Sequence, residues 1–218
     1  MIRLANFLLY IENISDYSKR IIDYGQTPID IYTVCSIIRE SFCCSYSIRK
    51  DNNLFIYIDS TYLLIKFEGN SLRYLGSDER SQALLLKRAL DKINGVEKIQ
   101  SRRFQKSTPG IFVKRLLSSE SILENIIDLN NNKIIVINEF EKENMESDII
   151  NLKKINNLKE YCFIFPFPQN SRVAVNFLDL IDEKYKLEYA NLSNIKGIEN
   201  KILYVNFLID QKENTINN

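Results

Sequence analysis

The chain has 218 residues, 45% of them apolar and 26% charged, with a formal net charge of +1 and no histidine. That length suits one α/β domain with a sizeable core, and the near-neutral balance excludes a global field drawing the molecule onto nucleic acid, so RNA affinity must come from local patches. The missing histidine excludes Cys₂His₂ zinc sites and Ser-His-Asp or Cys-His nucleophile systems.

The four cysteines (Cys35, Cys43, Cys44 and Cys162) form no C-x-x-C pair. No metal is expected, and buried free thiols are expected in place of disulfides. The amino-terminal apolar run is too short to span a membrane and carries no cleavage pattern. No membrane association and a cytoplasmic location are therefore expected.

In chain order, residues 3–10 read as the first strand. Apolar residues at helical spacing (Ile31, Val34, Cys35, Ile38 and Phe42) predict a helix after Pro28, with the proline at an early helical position. Residues 54–59 and 62–68 read as a strand pair, followed by a turn at Gly69-Asn70. Ser77 is the expected N-cap of the next helix, with Asp78 and Glu79 supplying first-turn negative charge. Ser107-Thr108-Pro109-Gly110 reads as a turn, residues 110–116 as strand, 121–129 as helix and 133–138 as a buried strand. Residues 139–159 are polar and read as an excursion. A strand over 161–168 ended by two prolines, a helix over 171–181, a strand over 186–189 and an apolar element over 202–209 complete the pattern. The expected fold is α/β, a mostly parallel sheet of about six strands with helices on both faces.

Two basic segments are candidate RNA contacts. One is S-I-R-K-D, containing Arg49 and Lys50. The other is I-Q-S-R-R-F-Q-K, where Arg102, Arg103 and Lys106 surround Phe104. Cations interleaved with an aromatic suit phosphate contact with base stacking, and equally describe a solvated loop. Asp78-Glu79-Arg80 is accounted for as a helix start.

Three strings lie in order along the chain: I-K-F-E-G (65–69), L-R-Y-L-x-S-D-E-R-S (72–81) and S-T-P-G-I-F-V-K-R (107–115). On these the chain resembles the archaeal tRNA pseudouridine N1-methyltransferases, a branch of the knotted SPOUT class of S-adenosylmethionine enzymes. The resemblance implies a single SPOUT-type domain over 1–218. Its RNA-side half covers about 1–130, its cofactor half about 131–210, and residues 211–218 form a frayed tail. It further implies a carboxyl-terminal trefoil knot between about residues 161 and 209, a homodimer with Tyr204 and Phe207 at an apolar contact, and tRNA or another structured RNA as partner. Arg49, Lys50, Arg73, Arg102, Arg103 and Lys106 become RNA-side residues, and Asp78 and Arg80 candidate catalytic ones.

The knot loops depart from that family's pattern. The family has Gly-Asp-His after its first knot strand, a Leu-Ser-Pro-like loop after its second, and His-Cys opening its last helix. Here Phe165, Pro166 and Phe167 occupy the first position. Ala190, Leu192 and Ser193 fall at the second, with Asn194 for proline, and Asn200, Lys201 and Ile202 at the third. Proline removes a backbone donor, and a lysine near a sulfonium opposes cation with cation unless it points to solvent. Two readings follow. One is an RNA-binding protein that has lost S-adenosylmethionine, standing alone or as partner subunit to an active paralogue, with no cofactor. The other is an active S-adenosylmethionine-dependent enzyme methylating N1 of a T-arm pseudouridine, where catalysis is mainly alignment of two reactants.

Overall fold

The computed structural model of the protein describes residues 4–45, 47–94, 103–126, 133–138, 149–167, 172–182 and 184–216. Strand β1 (Ala5–Ile11) is buried along its whole length, as expected of a strand covered on both faces. Its odd-numbered residues Phe7, Leu9 and Ile11 join one core cluster, and its even-numbered Leu8 and Tyr10 the other, because successive side chains point to opposite faces.

The same division runs through β2 (Asn52–Ile58), β3 (Leu63–Glu68), β6 (Lys133–Asn138) and β7 (Tyr161–Phe167). With β4 (Gln105–Thr108), β5 (Ile111–Arg115) and β8 (Leu187–Asn191), the sheet order is β4-β5-β3-β2-β1-β7-β6-β8. Strands β2, β1, β7, β6 and β8 are mutually parallel, whereas β3, β5 and β4 pair antiparallel. Among the described residues the sheet has eight strands, against about six expected. The extra β4 takes in Ser107 and Thr108, leaving Pro109-Gly110 as the turn.

One face is covered by α2 (Ile29–Phe42), α3 (Glu79–Asn94) and α5 (Ile198–Ile216). The other is covered by α4 (Arg172–Asp182) with Leu116, Ile122, Leu123 and Ile126. A short helix α1 (Lys19–Asp23) packs on α3. Helix α5 is pinned at depth by Asn206. Its side-chain oxygen accepts from Asn52 at 2.9 Å and its amide donates to the Glu40 carbonyl at 2.8 Å, satisfying groups that burial would otherwise penalise.

Several local expectations are corrected. β1 starts at Ala5, beyond the expected residue 3. Pro28 is the N-cap of α2, still outside the helix, where its extended ψ of 146° fits. Residues 119–125, within or beside the expected helix 121–129, form two 3₁₀ turns, and 127–129 lie outside the described residues. Of the excursion, 139–148 lie outside the described residues. Ile149 bridges to Tyr189, and two 3₁₀ turns follow. The apolar element over 202–209 is the middle of a helix running to Ile216, so most of the expected frayed tail is helical. Cys44, expected to be a buried thiol, is exposed.

Candidate functional site

Five parallel strands give the sheet an amino edge and a carboxyl edge, and the candidate residues divide between them. At the amino edge, the loop after β3 is clamped between the β4–β5 turn and the segment entering β2. Gly69 donates to the Asn52 carbonyl at 2.9 Å, Glu68 to the Gly110 carbonyl at 2.8 Å, and Arg73 to the Pro109 carbonyl at 3.3 Å. A Cβ on Gly69 would lie 2.3 Å from the Arg49 carbonyl oxygen, and one on Gly110 2.3 Å from the Leu72 Cα. Gly110 also has φ +80°. The glycines of two of the strings are thus fixed by close backbone approach.

This clamped loop displays Arg73 and Tyr74 to solvent. Tyr74 is 81% exposed and has φ +65°, a costly region for a bulky side chain. Its carbonyl accepts from the Ser81 hydroxyl at 3.3 Å, and that hydroxyl in turn accepts from the Gly76 N–H at 3.0 Å. Lys50 is exposed nearby. Arg49 makes a bidentate pair with Asp210 of α5, both contacts at 2.6 Å. Those hydrogen bonds raise the Arg49 pKa further against the opposing effect of burial. Arg49 therefore ties α5 to the amino edge, and its guanidinium is already engaged.

Asp78, and not Ser77, caps α3. Its Oδ1 accepts the Ser81 N–H at 2.8 Å, because the helix opens at Glu79 and the acceptor must stand one residue before it. Arg80 reaches Asp23 at 2.8 Å, where Lys19 also binds at 2.6 Å. Hydrogen bonds from Lys19 and Arg80 hold the Asp23 carboxyl below its ordinary pKa. Both candidate catalytic side chains thus have structural partners.

At the carboxyl edge lie the ends of β7 and β8 and the start of α5. Phe165, Ala190, Leu192 and Ile202 meet in one apolar cluster against the sheet, with Phe167 packed on it. Phe165 and Pro166 are buried residues of β7, within the strand expected over 161–168, so the first cofactor position falls on the strand itself. Pro166 stands beyond the β6–β7 ladder, which closes at Val136–Ile164, and remains in register with Tyr10 of β1. The turn after β8 satisfies itself. The Ser193 N–H donates to Asn191 Oδ1 at 2.8 Å and the Ile195 N–H to the Leu192 carbonyl at 2.9 Å. Asn200 is exposed and donates to the Lys196 carbonyl at 2.8 Å. Lys201 is fully buried and does not point to solvent.

These residues supply an apolar floor, but Pro166 has no N–H and those of Ser193 and Ile195 are spent internally. Pro166, Ser193 and Ile195 thus offer no free backbone donor to an adenosine held through backbone amides.

Of the second basic segment, Arg102 lies outside the described residues and Arg103 and Lys106 are exposed. Phe104 is packed against the core beneath the Lys114 ammonium, 5.8 Å from its ring centroid, and is not a free stacking surface. Sequence reasoning missed Tyr74, whose exposure and left-handed backbone carry no composition signal. It also missed the pairing of Arg49 with Asp210, which are 161 residues apart. Among the described residues no group of three or more His, Cys, Asp or Glu side chains could hold a metal ion, and no described helix is long and apolar enough to cross a membrane.

An open, largely parallel sheet covered on both faces, with candidate ligand loops gathered outside the carboxyl ends of its strands, is the architecture of α/β ligand-binding proteins. Residues 17–155, more than half of the chain, match the family described as "Putative SAM-dependent RNA methyltransferase", and the chain belongs to that family. The match ends before β7. The tRNA (pseudouridine(54)-N(1))-methyltransferase of Methanocaldococcus jannaschii is 29% identical over 116 residues, 52% of this chain and 57% of that protein. The protein of the same name from Haloferax volcanii is 32% identical over 101 residues, 46% of this chain and 48% of that protein. The chain thus spans about half the length of these curated relatives.

Proposed function

We propose that this protein binds tRNA or another structured RNA through its family half and has lost the ordinary S-adenosylmethionine pocket, acting alone or as partner subunit to an active paralogue in the cytoplasm. The observation that carries this reading is the contrast between the two halves. The family match covers 17–155. Beyond it, β7 carries a proline and the β8 turn spends its N–H groups on itself. The named activity of the relatives supports RNA as the ligand class. In the same reading, β6, β7 and β8 thread the carboxyl-terminal trefoil knot. The Leu203 and Phe207 stripe on α5, 46% and 51% exposed, is the contact face of a homodimer or heterodimer. Tyr204, half-buried against the core, contributes less to that contact than its composition implied.

The second reading is an active S-adenosylmethionine-dependent methyltransferase acting on N1 of a T-arm pseudouridine in tRNA. It is favoured by the names of the relatives and by the apolar floor at the carboxyl edge. Calorimetric titration of the full chain with S-adenosylmethionine, with S-adenosylhomocysteine beside it, separates the two. No heat at high protein concentration is expected. Micromolar binding, about −8 kcal/mol, gives the lead to the methyltransferase reading.

A further inference from the structure

Arg115 closes the string S-T-P-G-I-F-V-K-R and ends β5 at the carboxyl edge, beside Leu63 of β3. Its side chain is half-buried, and its Nε is buried with no hydrogen-bond partner. Among the described residues no carboxylate forms an ion pair with it. Asp59, at the same edge in the 3₁₀ turn that follows β2, is instead engaged by the Ser119 hydroxyl at 2.9 Å, beside Tyr57 in the cluster of the opposite face. A partly desolvated guanidinium without an anion is costly to keep, and its planar fork of donors matches phosphate geometry.

The neighbourhood adds to this. Gln105, the first residue of β4, pairs with Val113, so exposed Arg103 precedes β4 at the end of the strand pair where Arg115 stands. On the other side, the Tyr62 carbonyl accepts the Leu116 N–H at 2.8 Å. Tyr62 is 45% exposed and has φ +52°. Two cations beside an exposed ring are the elements of a contact to a nucleic-acid backbone and base. Four strand spacings, about 19 Å, separate β5 from β7 along this edge.

We infer that Arg115, flanked by Arg103 and Tyr62, is a phosphate-contacting residue, and that RNA lies along the carboxyl edge of the sheet, toward the ends of β7 and β8. This rests on the RNA-binding reading above and assigns that ligand to one edge.

The test uses the full chain and a T-arm stem–loop RNA. Fluorescence anisotropy across a salt series is measured for the wild type, Arg115→Gln, Arg115→Lys and the charge-matched control Lys153→Gln at an exposed turn. In parallel, the Arg115 Nε–H resonance is assigned by its loss in Arg115→Gln and followed on addition of RNA or of inorganic pyrophosphate. Arg115→Gln is expected to weaken binding about tenfold and to reduce the salt slope by about 1. Arg115→Lys should restore the slope and only part of the affinity, Lys153→Gln should do neither, and RNA should shift the Nε–H signal. Wild-type binding that Arg115→Gln leaves unchanged overturns this assignment and spares the RNA reading. If the wild type binds no RNA but pyrophosphate shifts the Nε–H signal, the RNA reading fails and an anion site at Arg115 stands. No response to either ligand removes both.

Discussion

The two edges of the sheet teach different things about one chain. The amino edge holds most of the residues by which the family is legible, and there the side chains are largely spent on one another. Arg49 is paired with Asp210, Asp78 with the α3 backbone and Arg80 with Asp23. The carboxyl edge holds the positions where the chain departs from its relatives, and there stands Arg115 with its buried Nε unpartnered. Within the recognition strings, the amino-edge residues serve backbone clamping and capping, whereas Arg115, at the far end of the last string, is left unpartnered at Nε among the described residues.

The largest expected effect tests whether the amino edge is a clamp. Gly110→Ala places a methyl 2.3 Å from the Leu72 Cα on a backbone at φ +80°. It should destabilise the fold by about 3 kcal/mol, read as a shift in urea midpoint. A loss below about 0.5 kcal/mol would mean the loop carries no such constraint.

Smaller, and sharper for mechanism, is Asp78. As a cap, Asp78→Ala should cost about 1 kcal/mol while Asp78→Asn costs little, since either side chain accepts the Ser81 N–H. Were the carboxylate chemical, Asp78→Asn would keep the melting temperature and abolish any RNA-dependent activity. Melting curves and activity on the same two variants decide between cap and catalyst.

The smallest effect is a pH dependence confined to the amino edge. Burial pushes the Glu68 carboxyl up, but hydrogen bonds from Lys66, at 2.6 Å, and from Ser71 outweigh it and leave its pKa below the ordinary value. A lowered folded pKa contributes stability that is complete above the unfolded value, about 4.3, and is lost as pH falls through the folded one. The melting-temperature gap between wild type and Glu68→Gln should be constant near neutrality and close on acidification below that value. A gap unchanged at low pH would show that the Lys66–Glu68–Ser71 network is not what fixes the loop.

Periodicity and turn chemistry alone placed α2, the β2–β3 hairpin, β6 and β7 to within a residue or two, and gave the α/β class. These depend on local alternation and on punctuation by glycine and proline, which are written in neighbouring residues. The three strings likewise disclosed the family from sequence. Which candidate side chains were free was decided only by tertiary structure. Arg49 and Asp210 meet across 161 positions, and Phe104 packs, partly buried, against the core. An arginine reads the same in a sequence whether its partner is a distant carboxylate, solvent or a phosphate. Only the fold brings a partner within a few ångströms, or, as at Arg115 Nε among the described residues, leaves none there.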